Sequence, residues 1–247
     1  MEKKVKRRIN KKALIVIILI LYLIIMIFYY VYKMPIKNII INGNNLLNDS
    51  EIISSVGLND YPNLFKVSTK KIEKKLEKLD LVISADVDKN LFGTIYIDIE
   101  EAQILFLNKT NNKLVLSNKK EISEISYSGI PTLINYVPSD IYTNLIEQMS
   151  KIDGEIIALI SEIEYNPDVK DDVVINDSRF ILKMNDWNLV YIDIVNFANL
   201  NMYETIYSNL DSKGVIHLDS VYAESDTIIF TYFDKLNEVG DDSELSE

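Results

Sequence analysis

The chain has 247 residues, with 26 Lys and Arg against 37 Asp and Glu, a net charge of −11, one His and no Cys. Such an acidic balance opposes binding to nucleic acid or other anionic polymers. Without cysteine there is no disulfide framework, thiolate zinc site or cysteine nucleophile, so any exported region must be held by its hydrophobic cores, and the length suffices for one or two domains.

Ala13 to Tyr32 form a run of 20 residues without a charged side chain. As a helix rising ~1.5 Å per residue it spans about 30 Å, the hydrocarbon thickness of a bilayer. Lys3, Lys4, Lys6, Arg7, Arg8, Lys11 and Lys12 precede it, whereas only Lys33 and Lys37 follow closely. The positive-inside rule therefore predicts a cytoplasmic basic tail at 1–12, a transmembrane helix at 13–32 and the remaining mass outside, with Tyr29, Tyr30 and Tyr32 at the outer interface. A cleaved signal peptide shares the basic-then-apolar pattern. Against it, the run exceeds the usual h-region, and Tyr29 to Pro35 lack the small side chains that signal peptidase needs. With +6 in the first twelve residues and −11 overall, −17 lies beyond the membrane, a charge that favours solubility.

Residues 36–42 read as a strand and Asn42-Gly43-Asn44-Asn45 as a turn. Asn48 with Glu51 predicts a capped helix through Ile52, Ile53 and Val56, stopped by Gly57. Ser68 predicts a second helix with Ile72, Leu76 and Leu79 on one face. Leu81, Ile83, Ala85 and Val87 alternate in one predicted strand, and Ile95, Ile97 and Ile99 in the next. The order β-α-α-β-β over 35–103 predicts a small unit whose helices cover one side of a three-stranded sheet.

Beyond it, 104–233 reads as a β-rich domain with flanking helices. Ile104–Leu107 and Leu114–Leu116 form a predicted hairpin. Ser139 is expected to cap a helix with Ile141, Leu145, Met149 and Ile152, ended by Gly154. Strands are predicted near 159–165, 173–175, 179–184 and 187–192, a helix over 198–210, then strands at Val215–Leu218 and Thr227–Phe233. Five of the last ten residues are acidic, so 234–247 is expected to be a disordered tail. The fold class is α+β.

In this order the motifs resemble the bacterial cell-division family FtsQ/DivIB. Ile39-Ile40-Ile41-Asn42-Gly43-Asn44 is similar to its V-x-G-N turn, and Leu47–Ile53 to its capped first helix. Asn63-Leu64-Phe65 resembles N-L-F, Gly129-Ile130-Pro131-Thr132-Leu133 resembles L-P-x-L, and Lys213 to Asp219 resembles the G-x-I-D-L-R strand. The departures are Leu91-Phe92-Gly93 and Glu100-Glu101-Ala102-Gln103, where the family usually carries a tryptophan-proline pair and E-R-x-P, and His217 and Ser220, where Asp and Arg are common. The resemblance implies a POTRA domain at 35–103 and a divisome scaffold at the septum. Its implied partners are FtsL, FtsB/DivIC and the septal peptidoglycan synthase.

Residues that could carry chemistry do not converge. Glu100/Glu101 and Asp171/Asp172 could not share a site as strand neighbours, which point to opposite faces, and read better as solvated loop or edge charges. His217 is alone in a strand, and there is no phosphate loop, nucleophile elbow or HExxH helix. The expectation is therefore a non-enzyme without cofactor, metal or small-molecule substrate. Two alternatives are a membrane-anchored envelope enzyme or sensor and a POTRA protein of another assembly system. Thr227 to Phe233, apolar and aromatic on both faces, reads as a sheet edge open to strand addition, with the buried strand as its rival. Ile228, Ile229, Phe230 and Tyr232 are the expected partner-binding residues, Ile229 supplying a backbone donor. The resemblance adds Tyr222 to the same edge and implies that FtsB/DivIC docks there.

Overall fold

The computed structural model describes residues 10–123, 129–219 and 228–234. The expected basic tail up to Ile9 and acidic tail beyond Asp234, with Tyr222 and Thr227, lie outside the described residues. The described chain contains one helix long and apolar enough to cross a membrane, α1 (Lys11–Tyr32). None of its residues is buried in the protein, as expected of a helix whose solvent is lipid. The chain then divides into two compact units, the break falling after Glu101.

The first unit continues with β1 (Asn38–Asn42), α2 (Asp49–Val56), α3 (Thr69–Leu76), β2 (Val82–Lys89) and β3 (Thr94–Glu101). Asn48 and Gly57 bound α2, Gly57 taking the left-handed conformation that lets a helix end, but the Asn48 side chain makes no capping hydrogen bond. Ile52, Val56, Ile72 and Leu76 are buried, as are Ile95, Ile97 and Ile99 of β3. Each such side chain contributes about 1.5–3 kcal/mol of burial. The sheet order is β1-β3-β2, with β1 parallel to β3 and β2 antiparallel to it.

β2 departs from strict alternation. A bulge between Val82 and Ser84 shifts its register against β3, so Val82 is 2% exposed and Ile83, expected inside, is 44% exposed. One inserted residue moves neighbouring side chains to opposite faces.

Glu100 and Glu101 do diverge. Glu100 accepts from Ser84 Oγ at 2.8 Å. The Glu101 carboxylate accepts backbone N–H groups of Asn45 at 2.9 Å, Leu46 at 2.6 Å and Leu47 at 2.9 Å. It thereby holds the turn between β1 and α2 with charge-assisted bonds.

The second unit contains β4 (Ile104–Asn108), β5 (Lys113–Leu116), β6 (Glu121–Ile122), β7 (Thr132–Leu133), α4 (Ser139–Met149) and α5 (Gly154–Ala158). It continues with β8 (Ile160–Tyr165), β9 (Asp168–Lys170), β10 (Val173–Asn176), β11 (Arg179–Met184) and β12 (Leu189–Asp193). A 3-10 helix (Phe197–Met202), α6 (Tyr203–Tyr207), β13 (Gly214–Leu218) and β14 (Ile229–Tyr232) complete it. Its main sheet has the order β14-β13-β12-β11-β8-β7-β4-β5-β6, and β9 pairs with β10 as a separate ribbon. One core joins Phe106, Leu145, Met149, Phe180, Ile192, Phe197 and Tyr203.

Two expectations need correction here. Gly154 starts α5 after Asp153 instead of ending the preceding helix. The helix expected over 198–210 is a 3-10 segment followed by the short α6, because Phe197, Leu200 and Tyr203 at threefold spacing all turn into the core. Asp171 and Asp172 both have positive φ in the turn between β9 and β10 and are exposed, the solvated loop charges expected of them.

Candidate partner-binding edge

β13 lies between two neighbours of opposite sense, parallel to β12 and antiparallel to β14. Its first residue must be glycine. A Cβ on Gly214 would stand 2.2 Å from the Thr231 carbonyl oxygen and 2.7 Å from Cζ of Phe230. That absence of a side chain lets β14 close on the sheet.

The register pairs Gly214 with Tyr232, Val215 with Thr231, Ile216 with Phe230 and His217 with Ile229. Phe230 packs against the core beside Ile216. Tyr232 shares that face, its ring meeting Phe230 edge-on at 4.9 Å. On the opposite face Thr231 Oγ1 lies 3.5 Å from His217 Nε2, and the His217 ring meets Tyr191 at 5.3 Å. The aromatics of β14 therefore occupy one face only, contrary to the expected two.

Among the described residues the sheet ends at β14. Phe233 N donates to Lys213 O at 3.4 Å, and antiparallel pairs alternate between hydrogen-bonded and open. Residues 229, 231 and 233 thus aim their amides at β13, while 230 and 232 aim theirs away from it. This corrects the expectation for Ile229, whose amide serves the internal pair.

A polar clamp fixes the adjoining turn. Gly214 N donates to Asn188 Oδ1 at 3.0 Å, Asn188 Nδ2 to the Tyr203 hydroxyl at 3.2 Å, and that hydroxyl to Asp186 Oδ2 at 2.8 Å. Burial pushes the Tyr203 phenol well above its ordinary pKa, opposed by its bond with Asn188 and reinforced by Asp186, so it stays a donor. The clamp presents Trp187, at φ 77° and 82% exposed, over a groove also lined by Met184, Leu189, Lys213 and Phe233. Trp187 escaped the sequence reading. Its only signal is a lone tryptophan inside the turn run Asn185-Asp186-Trp187-Asn188.

The other sheet borders are poorer candidates. β6 has 2 residues, and the β9–β10 ribbon, though it exposes Val169, Val173 and Val174, carries Lys170, Asp171 and Asp172 around its turn. Charges at an edge discourage strand pairing. Of the expected residues, Ile229, Phe230 and Tyr232 lie in β14 and Ile228 immediately before it.

For chemistry the described residues offer little. None of their His, Asp and Glu side chains gather in threes where a metal could bind. Burial, partly offset by Asn108 and reinforced by Glu121, pushes Tyr142 up to about 12, which keeps it a neutral hydrogen-bonding group near pH 7.

Comparison with known proteins decides the relationship. Residues 34–102 match the model of the FtsQ-type POTRA domain. The chain is 29% identical over 196 residues to the cell division protein DivIB of Geobacillus kaustophilus, covering 74% of this chain and 72% of that protein. It is also 29% identical over 212 residues to DivIB of Bacillus subtilis, covering 81% and 74%. The chain carries an FtsQ-type POTRA domain and is similar to the FtsQ/DivIB family.

A solved structure of the major extracytoplasmic domain of DivIB from Geobacillus stearothermophilus, in its trans isomer, aligns with a TM-score of 0.36 at 23% identity. It covers 45% of this chain and 96% of that one. Within this chain the motifs acquire physical roles. Asn42 Nδ2 donates to Asp98 Oδ1 at 2.8 Å, fastening β1 to β3, and Gly43 turns the chain at φ 80°. Asn63 accepts from Phe65 N at 2.9 Å and donates to Tyr32 O at 2.7 Å. Thr132 and Leu133 form β7, inserted parallel to both β4 and β8. Lys213 to Asp219 carries β13, against which β14 pairs.

Proposed function

We propose that this cell-division protein is a non-catalytic scaffold of the septal membrane. Its N-terminus lies in the cytoplasm and its two folded units outside. It binds FtsL and FtsB/DivIC and thereby supports activation of the septal peptidoglycan synthase. The observation that carries this reading is that, among the described residues, the nine-stranded sheet ends at β14, an apolar strand with aromatics at 230 and 232, in a chain similar to this family. Strand addition requires only such an edge and nearby pockets for side chains, and the Trp187 groove supplies one.

Recovery of the intact, tagged full chain from its own cell membranes tests the proposal. FtsL and FtsB/DivIC are expected to co-purify in amounts comparable to the bait, and recovery of the anchored chain without either partner would overturn it. Topology is tested separately. A reporter that is active only outside the cytoplasm, fused after Glu247, should be active, and a stable but silent fusion would reverse the orientation.

A further inference from the structure

The chain leaving α1 is tied at once to two loops of the first unit. Leu64 N donates to Met34 O at 3.0 Å, Ile36 N to Pro62 O at 3.0 Å and Lys37 N to Gly93 O at 2.7 Å. Phe65 stacks on Tyr32 with ring centroids 6.5 Å apart. Lys89 Nζ donates to Leu64 O at 3.0 Å and Val67 O at 2.6 Å, fixing the first of these loops to the end of β2. Lys37 is five residues beyond Tyr32, so the Gly93 turn lies within about 18 Å of the helix end at ~3.3–3.6 Å per residue.

The side chains on these loops are not those of a watery surface. Leu91 is 72% and Phe92 80% exposed, with Tyr61 and Phe65 also exposed. Single exposed apolar residues are ordinary, but these four bracket the point where the chain leaves the membrane helix. Hydrogen bonds tie both loops. Asn90 Oδ1 accepts from Phe92 N at 2.9 Å and Thr94 N at 3.0 Å, so the Leu91-Phe92 tip is held out by its own turn. Lys33, Lys37 and Lys66 are exposed in the same segments, against Asp60. Aromatic and aliphatic tips flanked by lysines suit the layer between acyl chains and phosphates.

We infer that Tyr61, Phe65, Leu91 and Phe92 form a lipid-contacting rim that seats the first unit on the bilayer surface, with Lys33, Lys37 and Lys66 facing lipid phosphates. The first unit is then attached at two places, through α1 and through the rim, so its orientation is set by lipid contact as well as by the short linker. This rests on α1 lying in the bilayer.

Because the chain has no cysteine, single nitroxide labels can be placed on the full protein. L91C, F92C, K78C and I20C are reconstituted one chain per nanodisc in phosphatidylethanolamine and phosphatidylglycerol, and collisions with oxygen and with a water-soluble nickel chelate are compared. L91C retains Phe92 should the ring itself be needed for seating. Lys78 lies before β2, at the end away from the tip. The oxygen-to-nickel ratio at positions 91 and 92 is expected to be severalfold above K78C and below I20C. A ratio equal to K78C overturns the rim, and so does shielding from both reagents, which would mean protein contact. A water-like I20C overturns the membrane placement of α1 and the rim with it.

Discussion

Gly43→Ala is expected to abolish cooperative folding of the first unit while leaving the second intact. Gly43 has φ 80°, and a Cβ there would stand 2.0 Å from the Ile99 carbonyl oxygen and 3.2 Å from its carbon. The left-handed conformation alone costs an L-residue about 1–2 kcal/mol. The clash adds to it, because the obstacle is backbone of β3, the central strand paired on both sides. A total of about 3 kcal/mol or more equals the stability that a core of roughly 70 residues supplies without disulfides. Gly129 is the control, since it has the same φ of 80° with nothing within 4 Å of its Cβ. Amide hydrogen exchange of the full chain reads both. Gly43→Ala should strip protection from Ile95, Ile97 and Ile99 but not from β11 and β12, and Gly129→Ala should cost the second unit only about 1–2 kcal/mol. Equal costs for the two substitutions would show that the close approach to Ile99 does not govern the turn.

That turn illustrates what the sequence carries and what it hides. Asn42-Gly43-Asn44-Asn45 reads as a turn from residue type, and α2 from Asn48 and Gly57, since both signals are local. The burial of Ile95, Ile97 and Ile99 follows from period two. Glu101, however, is 54 to 56 residues from the amides it binds, and no local rule could assign it that task. Likewise β1 pairs in parallel with β3, a long-range choice, and the bulge that turns Ile83 outward is visible only once β2 has a partner.

In the second unit, β6 and β7 have 2 residues each, too few for periodicity to register. β13 and β14 were legible as apolar strands, but the direction of each backbone amide was not. Register decides it, and places the outward donor at Phe230 where Ile229 was expected. Trp187 is exposed for a reason equally remote from its neighbours in sequence, namely the buried Asn188 bonded to Gly214 and Tyr203.

The second large effect is expected at β14. If FtsB/DivIC adds a strand there, the outward amide of Phe230 enters a hydrogen bond with the partner and its ring buttresses the contact. Phe230→Ala and Phe230→Pro lose the same ring, but only the proline also loses the outward donor. Loss of an aromatic anchor costs about 2 kcal/mol, some thirtyfold in affinity. Loss of the hydrogen bond adds about 1 kcal/mol, roughly a further fivefold. Ile229→Pro instead attacks the pairing of β14 with β13 and should lower thermal stability.

The most direct test is therefore the affinity of the full chain for the external segment of FtsB/DivIC, measured for wild type, Phe230→Ala and Phe230→Pro with thermal unfolding recorded on each. The expected result is about thirtyfold weaker binding for Phe230→Ala and a further loss for Phe230→Pro, while the two variants unfold at similar temperatures. Unchanged affinity in a variant with normal unfolding would contradict β14 as the docking edge.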